Sequence, residues 1–158
     1  MDKLWAPWRV EYIRNIKKKG CIFCKGRDKA DDYVVFKTAH SIAMLNIYPY
    51  NNGHILVSPL RHVRSLEQLK DEEALDLFKA IKKAQKLLDR VLKPQGYNVG
   101  INLSRAAGAG ITGHLHVHIV PRWTGDTNFM PILSGVKVIS QSLDELHKLL
   151  KSAQSKTA

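Results

Sequence analysis

After residue 32, short runs of β-branched, aromatic and aliphatic residues are separated by turn chemistry. Residues 33–37 and 41–47 have strand length, and Asn51-Asn52-Gly53 is a turn signal ahead of a third run at 54–58. The pattern predicts a meander of three antiparallel strands. From Ser65 the period lengthens. Leu75, Phe78, Ile81, Leu88 and Val91 or Leu92 recur at helical spacing, and Asp71, Glu72 and Glu73 sit where a helix N-terminus favours negative charge. Pro94 and Gly96 end that helix. Residues 97–103 read as a strand and Ala106-Ala107-Gly108-Ala109-Gly110 as a flexible loop. Residues 114–120 alternate strictly, with Pro121 closing the strand, and Leu143, Leu146, Leu149 and Leu150 mark a short C-terminal helix.

Strands, one long helix and further strands imply an α+β domain in which the helix covers one face of an antiparallel sheet. Residues 1–20 mix Trp5, Trp8 and Tyr12 with Lys17-Lys18-Lys19 and read as an arm lying on a surface, leaving 21–158 as one domain. At 158 residues and 44% hydrophobic content, the chain suits one domain. A domain of that size buries roughly 70% of its unfolded surface, so it needs no disulfide staples. The start has no apolar run of signal-peptide length and no stretch is apolar enough to span a bilayer, so a cytoplasmic protein without a membrane partner is expected. The formal charge of +11 attracts anions without separating RNA from lipid or a small polyphosphate. Much of it reads as solvated helix surface, with Lys79, Lys82, Lys83 and Lys86 falling between apolar helix positions.

The alternation at 114–120 places chemistry. Successive strand side chains point to opposite faces, so His114, His116 and His118 share one face while Leu115, Val117 and Ile119 share the other. The apolar set is expected to pack under the helix and the imidazoles to line the opposite, open face. Three histidines on one face make poor core packing, because each ring would need its own buried partner. A metal site is the stronger rival, but three alternate positions on one strand span too far for one tetrahedral centre. A phosphate-attacking histidine needs a neutral ring, one uncovered nitrogen, and an acceptor holding the other. The loop Gly108-Ala109-Gly110, a few residues upstream, has the composition to offer backbone N–H groups to phosphate oxygens.

The run His114-Leu115-His116-Val117-His118-Ile119-Val120 resembles the His-φ-His-φ-His-φ-φ motif of the histidine-triad superfamily. Asn46 in Leu45-Asn46-Ile47, the stretch Gly53-His54-Ile55-Leu56-Val57-Ser58-Pro59, and Tyr97-Asn98-Val99-Gly100-Ile101-Asn102 follow in the family's order and spacing. Leu4-Trp5-Ala6-Pro7-Trp8-Arg9 and Pro121-Arg122-Trp123 with Gly125-Asp126 and Asn128-Phe129 are similar to its bacterial diadenosine tetraphosphate phosphorylase-like branch. The resemblance implies a nucleotide bound across the histidine face, with His116 as the nucleophile that forms a nucleotidyl-histidine intermediate. It also implies Asn46 at the ribose, His54 near the phosphates, Asn102 at the phosphate, His118 near the leaving group, and at least a homodimer. Where many relatives have Gly-Gln-Ser or Gly-Gln-Thr before the triad, this chain has Gly110-Ile111-Thr112-Gly113, which leaves its leaving-group preference open.

Cys21-Ile22-Phe23-Cys24 has the spacing of a redox dithiol or of half a zinc site. A redox pair wants a helix N-terminus directly after it, and residues 25–32 do not read as an amphipathic helix. Spacing supplies no further zinc ligands. The resemblance does, since zinc-bearing members of the superfamily use a histidine matching His62 and the first triad histidine, here His114. Such a zinc would be structural, a closed Cys2His2 tetrahedron leaving His116 free and catalysis independent of metal.

Three function classes follow: a phosphorylase or hydrolase of dinucleoside polyphosphates, a hydrolase of nucleoside phosphoramidates or other adenylated compounds, and a non-enzymatic RNA-binding or regulatory module. The third is disfavoured because the Tyr and Trp residues do not alternate with basic residues into a stacking platform. The expected acceptor is inorganic phosphate, giving ATP and ADP from diadenosine tetraphosphate. A dianionic acceptor needs cationic or N–H donors nearby, and Arg105 beside the glycine-rich loop is the candidate.

Overall fold

The computed structural model describes residues 20–28, 33–127 and 139–155; all but the last residue of the expected N-terminal arm lies outside them. Helix α1 is Ile22–Asp28. Strands β1 (Val34–Lys37), β2 (Ser41–Leu45) and β3 (Ile55–Pro59) form the expected meander. A 3-10 turn at Leu66–Gln68 precedes the long helix α2 (Asp71–Leu92). Strands β4 (Gly96–Ile101) and β5 (Val117–Arg122) and helix α3 (Leu143–Ser155) complete the order. The five strands form one antiparallel sheet in the order β1-β2-β3-β5-β4, so β1 and β4 are its edges.

The core lies between one sheet face and α2. Val35, Ala43, Leu45, Ile55, Val57, Val117 and Ile119 meet Leu77, Ala80, Ala84, Leu87 and Leu88 of the helix, joined by Leu146 and Leu150 of α3. Each large aliphatic side chain buried there contributes about 1.5–3 kcal/mol. The buried stripe of α2 differs from the one the large apolar residues suggest. Leu75 and Phe78 remain 58% and 68% exposed, while Ala80 and Ala84 are fully buried. Alanines at the contact bring the helix close to the sheet, and a pattern read from large residues passes over them.

Two boundaries also move. The strand expected to begin at His114 joins the ladder only at Val117, and it continues through Pro121, which pairs with Tyr97. The Pro121 carbonyl accepts from Asn51 Nδ2 at 3.0 Å, so its missing N–H faces the same side, beyond Ile119 where the pairing with β3 has ended. No ladder bond is lost there. Gly53, in the turn entering β3, has φ +77°, and a Cβ on it would stand 2.5 Å from Leu92 Cδ1. Glycine is required at that position by both backbone and packing.

Candidate active site

His114 and His116 stand on an extended segment just ahead of β5. That segment is held outside the ladder: Leu115 N–H donates to Val63 O at 2.6 Å, and the Leu115 carbonyl accepts from Ser58 Oγ at 2.9 Å. Alternation keeps the histidines opposite the α2 core, as the sequence predicts. The expectation of an open face fails at this end, because His54, His114 and His116 are all buried. Over His114 and His116 the cover is α1, whose Phe23 packs 5.1 Å and 5.2 Å from the two rings in a small cluster with Met44 and Leu56, and over His54 it is Tyr50, 4.7 Å away.

Hydrogen bonds fix the tautomers. His116 Nδ1 lies 2.8 Å from the His114 carbonyl, which can only accept, so Nδ1 carries the proton and Nε2 presents a lone pair. His54 Nδ1 receives the Tyr50 backbone N–H at 3.1 Å and lies 3.2 Å from Asn46 Nδ2. Its proton is therefore on Nε2, which donates to His118 Nδ1 at 3.0 Å. His118 must then carry its own proton on Nε2, a buried atom without a hydrogen-bond partner among the described residues. A buried donor left unmatched in this way is costly, and it is available to a ligand atom or a water.

Burial keeps these rings neutral. It lowers the His116 pKa, partly opposed by the bond to the His114 carbonyl. Burial, reinforced by repulsion from His116, brings His118 down to about 4. His54 falls to about 3, again chiefly through burial, with repulsion from His118 and His116 added. At neutral pH the site holds three uncharged imidazoles with alternating donor and acceptor nitrogens. Tyr50 covers the far side, its ring parallel to His118 at 5.7 Å and 10°.

The four residues with metal-ligand character also converge: the donor atoms of Cys21, Cys24, His62 and His114 all lie within 4.8 Å of one another. Cys21 Sγ is 3.1 Å and Cys24 Sγ 3.7 Å from His114 Nδ1, and Cys24 Sγ is 3.3 Å from His62 Nδ1. Tetrahedral zinc with ordinary bond lengths separates its sulfur and nitrogen ligands by about 3.6 Å. His114 Nε2 donates to the Pro59 carbonyl at 2.9 Å, which leaves Nδ1 deprotonated toward the thiols. Beside His62, Arg61 Nε donates to Glu73 Oε1 at 2.8 Å, tying this loop to the start of α2, and the guanidinium holds the Glu73 carboxyl down to about 2. One expectation is corrected here: a helix does begin directly after Cys21, the seven-residue α1. It is short and carries no apolar stripe, which is why periodicity passes over it.

The other sequence candidates are placed as follows. Asn46 Oδ1 accepts from Tyr48 N–H at 2.9 Å, so with its contact to His54 this amide steadies the 46–54 turn. Asn102 is half-buried just past β4, and Arg105 is exposed on the following loop. In that loop the Gly108 N–H donates to Arg105 O at 3.0 Å and the Ala109 N–H to Ser104 O at 3.2 Å. These two amides close the turn itself, so of the predicted cradle only the Gly110 amide has no such internal bond. Ile111 packs against the Phe23 cluster. Phe23, Tyr50 and Ser58 are the site residues that sequence reasoning missed. Their contribution is positional, and a ring or hydroxyl acting across the fold leaves no mark in spacing.

Alternate histidines running into a strand of an antiparallel sheet, with an imidazole partner from the turn that enters the neighbouring strand, define a histidine-triad protein. The chain belongs to the HIT family, whose HIT domain matches residues 27–125. It is 39% identical over 161 aligned residues to the AP-4-A phosphorylase of Mycobacterium tuberculosis, covering 95% of this chain and 83% of the relative. It is 38% identical over 93 residues to the asymmetrical bis(5'-nucleosyl)-tetraphosphatase of Schizosaccharomyces pombe, covering 59% of this chain and 50% of that one. Among solved structures, a histidine triad nucleotide-binding protein from Sulfolobus tokodaii superposes with a TM-score of 0.69 at 27% identity, covering 86% of this chain and 93% of the other. The chain is a nucleotide-processing enzyme of this family, and the phosphorylase-like branch matches it over nearly its full length.

Proposed function

We propose that the protein cleaves dinucleoside polyphosphates such as diadenosine tetraphosphate through a nucleotidyl-histidine intermediate, with inorganic phosphate as the preferred acceptor. The observation that carries this is the pairing of a lone pair on His116 Nε2 with an unmatched N–H on His118 Nε2, two residues further along the same extended run. In the first step the His116 Nε2 lone pair attacks the α-phosphorus. The bond to the bridging oxygen breaks, ATP leaves, and His118 Nε2–H hydrogen-bonds the oxygen that takes up the charge. The positive charge formed on His116 is held by its Nδ1–H bond to the His114 carbonyl. In the second step a phosphate oxygen attacks the same phosphorus, the N–P bond breaks, the imidazole regains its lone pair, and ADP is formed.

In this reading Asn46 lies beside the ribose, His54 sets the tautomer of His118, and Asn102, the Gly110 amide and Arg105 meet the phosphates. The resemblance of the whole chain to a phosphorylase supports phosphate over water. The cluster of Cys21, Cys24, His62 and His114 fits zinc by donor set and spacing. Bound zinc supplies a cross-link between α1 and the His114 segment, and catalysis needs no metal. A homodimer through the β4 edge is supported by the exposed Val99 and Ile101 on that strand. A cytoplasmic location accords with the finding that no described helix is long and apolar enough to cross a membrane.

The test is product analysis: diadenosine tetraphosphate incubated with the protein, with and without millimolar phosphate, and the nucleotides separated. ATP and ADP in phosphate support the phosphorylase reading. ATP and AMP under the same conditions replace it with a hydrolase, and cleavage of adenosine phosphoramidate alone replaces it with a phosphoramidase.

A further inference from the structure

The face of β5 that carries His118 continues through Val120 to Arg122, and Val120 lies about 7 Å beyond His118 along the strand. There a cleft of about 280 Å³ opens, lined by residues that include Tyr50, Asn98, Val120, Arg122, Asp126 and Thr127. Tyr50 is common to both places, bordering the cleft while its ring lies parallel to that of His118. Asn98 pairs with Val120 and Gly100 with His118, so these residues share the histidine face. Gly100 puts no side chain beside His118, and a Cβ there would meet nothing within 4 Å. The passage from His118 to the cleft is therefore open on the β4 side.

The cleft is polar without being cationic. Arg122 grips Asp126 through Nε at 2.6 Å and Nη2 at 2.9 Å, and its Nη1 donates to Asn98 Oδ1. Asn51 Nδ2 donates to Asp126 Oδ2 at 2.8 Å. A guanidinium neutralised in this way offers little to a polyphosphate, whereas the Tyr50 ring and the Asn98 amide N–H, which takes no part in the Arg122–Asp126 network, suit a base and a sugar. The direction also agrees. The departing oxygen must leave on the side opposite the incoming His116 Nε2 and within reach of His118 Nε2–H, which carries the rest of the departing group along β5.

We infer that this cleft is the subsite for the nucleoside at the departing end of the substrate, with Tyr50 and Asn98 among its walls. The inference rests on the proposed cleavage of dinucleoside polyphosphates and adds where their second nucleoside lies. It is tested by filling the cleft with Asn98→Trp and, separately, Thr127→Trp, both at exposed positions. Each variant is compared on diadenosine tetraphosphate and on adenosine phosphoramidate, whose departing group is ammonia and ends at the scissile bond. The ratio of kcat/KM for the long substrate to that for the short one should fall at least tenfold in either folded variant, judged by thermal unfolding. A wild-type ratio in a folded variant overturns the inference while the proposed function stands. A wild type inert toward diadenosine tetraphosphate overturns the proposed function and this inference with it.

Discussion

His54, just ahead of β3, and His118 on β5 share one hydrogen bond of 3.0 Å in which His54 Nε2 is the donor and His118 Nδ1 the acceptor. The direction is set elsewhere, by the Tyr50 backbone N–H that occupies the other nitrogen of His54. Both rings are buried neutral, and both have folded-state pKa values below the ordinary 6.5, about 3 for His54 and about 4 for His118. In the unfolded chain they take up protons as pH falls through 6.5, while in the folded protein they do not until pH 4 to 3. The unfolded state therefore binds more protons across that window, and stability falls on acidification from about pH 6.5 downward. Urea unfolding measured from pH 7.5 to pH 4.5 should show this slope, and a His54→Gln, His118→Gln double variant should show a shallower one. An unchanged slope in the double variant places the acid sensitivity elsewhere.

Replacing His116 by Ala should lower kcat by about 10⁴-fold or more while nucleotide binding stays measurable, because the covalent path is lost and the pocket remains. Single-turnover assays and equilibrium binding check the two halves separately. Near wild-type turnover removes His116 from the nucleophile's role.

His54→Ala should act differently. It leaves the nucleophile intact but releases the tautomer of His118, so kcat should drop about 10- to 100-fold with a smaller change in KM. A KM effect without a kcat effect shows that His54 serves binding alone.

Cys24→Ala removes one of four convergent ligand groups. Elemental analysis of wild-type protein prepared without chelators should give one zinc per chain and the variant much less, with a melting temperature lower by roughly 10 °C. Zinc-free wild type of equal stability refutes the site.

Gly53→Ala should destabilise the protein by about 1–2 kcal/mol, through the left-handed backbone and the crowding against Leu92. Thermal unfolding reads this directly, and an unchanged melting temperature shows that Leu92 yields without cost.

Much of this architecture was legible beforehand because it rests on period. Strict alternation placed His114, His116 and His118 together, and the change of period at Ser65 announced α2. What the chain hid was of two kinds. Ala80 and Ala84 form the contact face of α2 because they are small, and a reading weighted toward large side chains favoured Leu75 and Phe78 instead. The bonds of the Gly108 and Ala109 amides depend on the turn those residues adopt, which composition does not determine. Phe23 and Tyr50 reach the histidines from segments 93 and 68 positions away from His116 and His118, respectively, a separation across which no local pattern carries information.

The strand that carries the nucleophile breaks step with the sheet before Val117, handing the Leu115 amide to Val63 and its carbonyl to Ser58. Had the segment stayed in register, regular pairing would have claimed its backbone acceptors for a neighbouring strand. Out of register, the His114 carbonyl is left to orient the His116 ring. A redesign that straightened this segment into an ideal strand would gain sheet regularity and surrender the one oxygen that decides which nitrogen of His116 is nucleophilic.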